Sequence, residues 1–217
     1  MTKEIKLYSF LCSLFCIIII TSNLIFKKFI NFTIFDHSFD ITVGVLLYPI
    51  TFLISDLVSE FYGKIYATFM VKISVACSII IFILIDIADV IPANDWSVVN
   101  DSIFHLVFGA YTIAAISSII ANYAGQTIDI IVFLKLKRIL DCKYLGIRNV
   151  VSTFLGLSVD ATIITILLAI FGLIEAEHFQ NVVFGGIIFK IIATIISVPI
   201  YYLLYFVIKK LIRKNYE

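Results

Sequence analysis

Tyr48-Pro-Ile-Thr-Phe-Leu-Ile-Ser-Asp-Leu-Val-Ser-Glu-Phe-Tyr-Gly-Lys64 sets acids and hydroxyls inside an apolar run. Ile41 to Leu47 lead into it, and Thr51, Ser55, Asp56, Ser59 and Glu60 then fall among large aliphatic and aromatic side chains. Asp56 and Glu60 are four apart, so on a helix both carboxyls lie on one face. An Asp at the centre of a spanning helix costs about 2.5–3.5 kcal/mol on insertion scales. Two readings account for the pair. Either the helix end surfaces among lipid headgroups and the acids are hydrated, or the polar face lines a binding cavity.

The chain on both sides has the same character. It has 217 residues, 62% of them hydrophobic and 14% charged, where a soluble domain carries about 25% charged residues. Mean hydropathy is +1.11, and apolar runs long enough to cross a bilayer recur along the whole length. The class expected is an all-α integral membrane protein forming a single domain over residues 1–217, with no room for a soluble one. A net charge of +1 gives no electrostatic case for a nucleic-acid partner. Cys12, Cys16 and Cys77 lie in apolar runs and Cys142 in a basic segment, so they read as small core side chains or a free thiol, not as a disulfide set or zinc site. The first apolar run follows Lys3 and Lys6 but has no small-residue cleavage site, and is read as a retained helix.

Six transmembrane helices are expected, at Leu7 to Phe26, Ile41 to Tyr62, Tyr66 to Ile85, Ser102 to Leu134, Asn149 to Leu173 and Val182 to Ile208. Pro49 should kink the second. The fourth is longer than the roughly 30 Å hydrocarbon core requires, with Gly125 a plausible break. The loop Glu175 to Gln180 carries two acids and no basic residue. Pro199 should bend the sixth helix. Lys and Arg bias sets the orientation. With both termini cytoplasmic, Lys3, Lys6, Lys64, the five from Lys135 to Arg148 and the four of the tail put twelve of the sixteen basic residues inside. Lys72 can snorkel to the headgroups.

Polar stripes mark three further helices. Asn122, Gln126 and Asp129 share a face by their spacing, as do Asn149, Ser152, Thr153, Gly156 and Asp160. Asp160 lies too far from either helix end for headgroup hydration. Lys190 continues through Thr194, Ser197 and Tyr201. Helices five and six are joined by a short loop and so are antiparallel neighbours, which brings Lys190 within reach of Asp160. An ion pair between them is expected, with outward snorkelling of Lys190 as the alternative. Gly125-Gln-Thr-Ile-Asp129 and Gly156-Leu-Ser-Val-Asp160 also read as one pattern on two antiparallel helices. Inverted repeats of this kind place substrate sites at their interface in many transporters, though a match this short is also within reach of chance.

No Gly-x-x-x-x-Gly-Lys-Ser/Thr loop is present, nor His-Glu-x-x-His, Gly-x-Ser-x-Gly or Cys-x-x-Cys. An enzyme is therefore not expected, nor a cofactor or metal. An intramembrane enzyme built on Asp129 and Asp160 would need flanking motifs that the chain lacks.

Three blocks carry a family resemblance: Tyr48 to Lys64; Gly125-Gln-Thr-Ile-Asp-Ile-Ile-Val-Phe133 with Leu-Lys-Leu-Lys-Arg138; and Arg148-Asn-Val-Val-Ser-Thr153 continuing to Asp160. Together they resemble the queuosine precursor transporter family, also known as the putative vitamin uptake transporters. The third block departs from the family pattern at Leu157 and at Ile163-Ile164. The resemblance implies a bacterial inner-membrane, multi-pass importer of 7-deazaguanine compounds (preQ0, preQ1 or queuine) that feeds tRNA modification by salvage. Its partners would be that small molecule and the lipid bilayer, with a homo-oligomer or an energising partner left open. The alternative is a substrate-binding subunit of an energy-coupling-factor vitamin transporter. A guanine-like edge offers an N–H and an amino group side by side, which one carboxylate can accept, while amides can meet its carbonyl. Asp56, Glu60, Asp129 and Asp160 are the candidate acceptors, Asn122, Gln126 and Asn149 the candidate amides. Phe52, Phe61 and Tyr62 are candidate stacking partners, with lipid or core packing as the plainer role of each.

Overall fold

A computed structural model describes residues 2–34, 37–109, 111–171 and 176–213. The described residues are mostly helical, with a pair of short strands and irregular connections, and run α1 (Lys3–Leu24), β1 (Phe29–Ile34), β2 (His37–Thr42), a tight helical turn (Val43–Leu47), α2 (Tyr48–Val90), α3 (Asp101–Phe108), α4 (Tyr111–Ile139), α5 (Leu145–Ile170) and α6 (Ala176–Arg213). Among the described residues, five helical stretches are long and apolar enough to cross a membrane, at Lys3–Leu24, Val43–Val90, Ile116–Ile139, Leu145–Leu167 and Ile188–Ile212. The all-α membrane class stands on these.

The longest stretch is two helices. Gly63 has φ 80° and ψ −176°, a conformation essentially closed to residues with a Cβ, and it divides α2 into legs 48–62 and 64–90. Contacts with α1 show that the chain reverses there. Ser22 Oγ donates to the Gly44 carbonyl at one end of α1, and the Tyr62 hydroxyl donates to the Glu4 carbonyl at the other, so the first leg is antiparallel to α1. Tyr8 meets Tyr66, and Phe82 packs with Leu24 and Phe26, so the second leg runs parallel to α1. The same argument orders the rest. Thr51, Ser55 and Glu60 meet Gln126, Asp129 and Lys137 in rising order, which makes the first leg parallel to α4. Asp56 and Glu60 meet Ser152 and Arg148 in falling order, which makes it antiparallel to α5. Asp160 meets Lys190 and Gly146 meets Tyr202, which makes α6 antiparallel to α5. Six helical segments thus alternate in direction.

Several boundaries differ from those expected, each for a physical reason. Phe29–Ile34 and His37–Thr42 pair as antiparallel strands, with Phe29 opposite Thr42 and Ile34 opposite His37. Their Phe, Ile and Thr content suits strand, and the helix expected from Ile41 begins only at Tyr48. Pro49 therefore sits in the first turn of α2, where its missing N–H costs nothing, and starts the helix instead of kinking it. The expected single helix from Ser102 is two, α3 and α4, and the interruption falls after Phe108. Gly125 lies inside continuous helix. α5 begins at Leu145, not Asn149, which takes Arg148 out of the loop and into the bundle. α6 begins at Ala176, within the expected acidic loop, and runs through Pro199 to Arg213. Asp36, Leu173, Glu175 and Lys214 lie outside the described residues.

The exterior is apolar, and the interior combines the polar stripes with an apolar core in which Phe15, Leu57, Met70 and Phe133 are fully buried. Ile65, Phe69, Ile80, Ile83, Leu84 and Ile87 of the second leg of α2 are exposed, as are Ile195, Ile196, Leu203 and Phe206 of α6. Such a surface suits lipid, not water. Lys72 is exposed on it. At the end that carries the strands, Lys27 Nζ donates to the carbonyls of Leu106 and Gly109, and His105 Nδ1 lies 2.7 Å from Asp89 Oδ2. These contacts fasten α3 across that end of the bundle.

Candidate functional site

The polar stripes meet in the centre of the bundle. Thr51, Ser55, Asp56 and Ser59 from α2, Asn122, Gln126 and Asp129 from α4, Asn149, Ser152 and Thr153 from α5, and Tyr201 from α6 are all buried. A polar group withdrawn from water needs a partner inside the protein, and most of these find one. Asn149 Nδ2 donates to Asp56 Oδ2 at 2.6 Å, and Ser152 Oγ approaches the same carboxyl at 3.4 Å. Ser55 Oγ donates to Asp129 Oδ2 at 2.8 Å. Gln126 Nε2 donates to Thr51 Oγ1 at 3.0 Å. The Asp56 and Asp129 carboxyls act directly on one another. The buried Tyr201 hydroxyl is within electrostatic range of Asp56, Glu60, Arg148 and Asp129, its ring set edge-on to Phe133.

The other two candidate acids are held by cations. Arg148 Nη1 is 2.9 Å and Lys137 Nζ 3.1 Å from Glu60 Oε2, and Lys137 also donates to the Glu60 carbonyl. The Arg148 guanidinium lies over the Phe133 ring, 5.1 Å from its centroid. Lys190 Nζ is 2.9 Å from Asp160 Oδ2, and Thr194 donates back to the Lys190 carbonyl within α6.

α4 and α5 touch backbone to backbone beside this cluster. A Cβ on Gly125 would stand 2.8 Å from the Gly156 carbonyl oxygen and 2.8 Å from Asp160 Cβ; a Cβ on Gly156 would stand 2.8 Å from the Gly125 carbonyl oxygen and 2.8 Å from Asp129 Cβ. The contacts are reciprocal. The two Gly-x-Thr/Ser-Ile/Val-Asp segments cross at their glycines, and each Asp lies over the other segment's glycine. The crossing is thus locally two-fold. Phe52 closes it from α2, a ring carbon 2.7 Å from where a Gly156 Cβ would be.

Of the residues singled out by sequence, Asp56 and Asn149 are hydrogen-bonded to each other, and Asp129 is held by Ser55, the neighbour of Asp56 in the chain. Gln126 lies one turn from Asp129, and Phe52 packs at the glycine crossing beside it. Asn122 is buried a further turn along α4. Glu60 and Asp160 sit in separate ion pairs. Phe61 and Tyr62 lie elsewhere: Phe61 stacks on Tyr205, and Tyr62 packs on Tyr8. Sequence reasoning missed Arg148, counted as loop charge. It also passed over Lys137 and Tyr201 as site residues. The one available signal was the spacing of Arg148 and Ser152, four apart on the face that also carries Asn149.

Not every buried group is paired. Asp129 Oδ1, Gln126 Oε1 and Asn149 Oδ1 accept no hydrogen bond, Asn122 Nδ2 donates none, and the Tyr201 hydroxyl has no partner. Ser59 Oγ and Arg148 Nε are unpaired as well, so the cluster offers both acceptors and donors to a molecule that carries N–H groups and a carbonyl.

An alternating helical bundle with an apolar exterior and a buried polar centre defines a helical, multi-pass membrane protein. The family model described as "Putative vitamin uptake transporter" matches residues 42–204, and the chain belongs to that family of transporters. The match spans α2 to α6 and so contains the whole polar cluster. Comparison with curated proteins and with solved structures returned no match.

Proposed function

We propose that the protein is a six-crossing carrier, both termini cytoplasmic, that imports a queuosine precursor of the 7-deazaguanine class across the bacterial inner membrane. The observation that carries this reading is the set of unpaired groups around Asp129. A guanine-like edge presents an N–H and an amino group side by side and a carbonyl oxygen next to them. The first two match free acceptors such as Asp129 Oδ1 and Gln126 Oε1, and the third matches Asn122 Nδ2. Asp56 and Asn149 complete the polar wall, and Phe52 offers an aromatic face beside it. Each unpaired buried group costs about 1–3 kcal/mol, and a ligand that pairs several at once recovers that as binding energy. Glu60 and Asp160 are assigned to holding the bundle through their cations.

The test uses a strain unable to make preQ0 and lacking its own importer, fed low external precursor. Expression of this chain should restore queuosine in tRNA. Asp56→Ala should abolish the rescue while the protein still reaches the membrane. Failure of the wild-type chain, present in the membrane, to restore queuosine would end the substrate assignment.

A further inference from the structure

Four carboxyls lie in the interior of the bundle, and they are not treated alike. Glu60 has Arg148 and Lys137; Asp160 has Lys190. Asp56 and Asp129 have each other and neutral donors only. The groups facing them are Ser55 and Glu60 from α2, Arg148, Asn149 and Ser152 from α5, and the Tyr201 hydroxyl from α6. Among the described residues no cation is paired with Asp56 or Asp129; Arg148 and Lys137 are both committed to Glu60, Arg148 through Nη1, with Nη2 3.5 Å from Oε1.

The two-fold crossing sharpens the contrast. Asp129 and Asp160 occupy equivalent places over the two glycines. At one of them α6 supplies the Lys190 ammonium. At the other α2 supplies a second carboxyl. Two carboxylates facing each other in a water-poor interior cannot both keep a negative charge. Asn149 Oδ1 and Gln126 Oε1, each on a residue no more than 1% exposed, are also unpaired acceptors beside the pair. They add a need for positive charge or for donors.

We propose that the Asp56–Asp129 pair binds one exchangeable proton, and that this proton couples solute movement to the proton gradient. The proton sits between the two carboxyls, forming an O–H bond to one while the other accepts it. It arrives from and leaves to the aqueous phases, so no bond in the solute changes. The proposal rests on the carrier reading above and adds the energy source to it.

Purified wild-type protein in liposomes tests the coupling with radiolabelled preQ1. Liposomes preloaded with unlabelled preQ1 read carriage without a gradient; acid outside reads coupling; an inward sodium gradient reads the competing cation. The expected result is counterflow in the first arm and accumulation above equilibrium in the second, abolished by a protonophore. For one proton per solute, a tenfold proton gradient supports up to about tenfold accumulation. Counterflow without any effect of the proton gradient, or accumulation driven by sodium, overturns the proposal and leaves the carrier reading standing.

Infrared difference spectroscopy of the ligand-free protein tests the proton site apart from transport. The carbonyl stretch of a protonated carboxylic acid should be present at neutral pH, lost in Asp129→Asn and retained in Asp160→Asn. Its absence from the wild type refutes the site whether or not the variants fold. Its presence in a protein that shows no counterflow supports the site and refutes the carrier.

Discussion

Lys190 and Asp160 show what one contact does for a helix in lipid. Lys190 sits well inside α6 with its side chain 10% exposed, and Asp160 is 5% exposed. Removing one partner of such a pair strands the other charge, at a cost of about 3–5 kcal/mol. Lys190→Ala and Asp160→Asn should each lower the thermal unfolding midpoint in detergent, and the double variant should recover part of the loss. Additive losses would show that the pair contributes nothing as a pair. The same logic separates the residues legible in the sequence from those that were not. Asn122, Gln126, Asp129, Asn149, Ser152 and Asp160 recur at three- and four-residue spacing, so helical periodicity alone puts them on common faces. Arg148 is not visible in this way. Its partner Glu60 is 88 residues away, and a cation beside a basic segment reads as an exposed one.

Glycine decides two elements for opposite reasons, and sequence cannot tell the reasons apart. At Gly63 the backbone demands it: φ is 80° and no atom lies within 4 Å of an added Cβ. At Gly125 and Gly156 the neighbours demand it. Gly63→Ala should therefore cost about 1–3 kcal/mol through backbone strain despite the open space. Gly156→Ala should cost about 1–3 kcal/mol through forced separation of α4 and α5. Gly186→Ala, in open space within α6 and without a positive φ, should instead gain about 0.5–1 kcal/mol from helix propensity. Unfolding midpoints of the three variants check this ordering, and equal effects would refute it. The sequence placed a helix boundary between Tyr62 and Tyr66, where Gly63 turns the chain, and a further break at Gly125, where the helix is continuous, because an apolar run with one glycine looks the same whether the chain bends or a neighbour comes close. The strand pair Phe29–Ile34 and His37–Thr42 was hidden too, since a short stretch between two apolar runs carries no helical period to contradict a loop.

For the whole molecule, the charge bias predicts which end faces the cytoplasm. Lys3, Lys6, Lys64, Lys137, Arg148 and Lys209 gather at the end that holds the Gly63 reversal and the α4–α5 turn. Cys142 is exposed in that turn, Cys12 and Cys16 are buried, and Cys77 is half-buried. A membrane-impermeant maleimide should label Cys142 in inside-out vesicles and leave it unlabelled in intact spheroplasts; the reverse pattern would invert the orientation. The glycine crossing has one more consequence, a mechanical one. Backbones in contact at one point cannot slide closer, so a rigid α5 that keeps the contact can only swing about it, as a beam does on a fulcrum. Its arms reach about 16 Å to Leu145 and about 21 Å to Ile170 at 1.5 Å per residue. A tilt of roughly ten degrees moves the tips about 3–4 Å in opposite directions, yet shifts Asp160, about 6 Å from the fulcrum, by only about 1 Å. The Asp160–Lys190 contact rides through such a tilt almost undisturbed, while the contacts out on the shorter arm, Arg148–Glu60 and Gly146–Tyr202 among them, take the larger displacement.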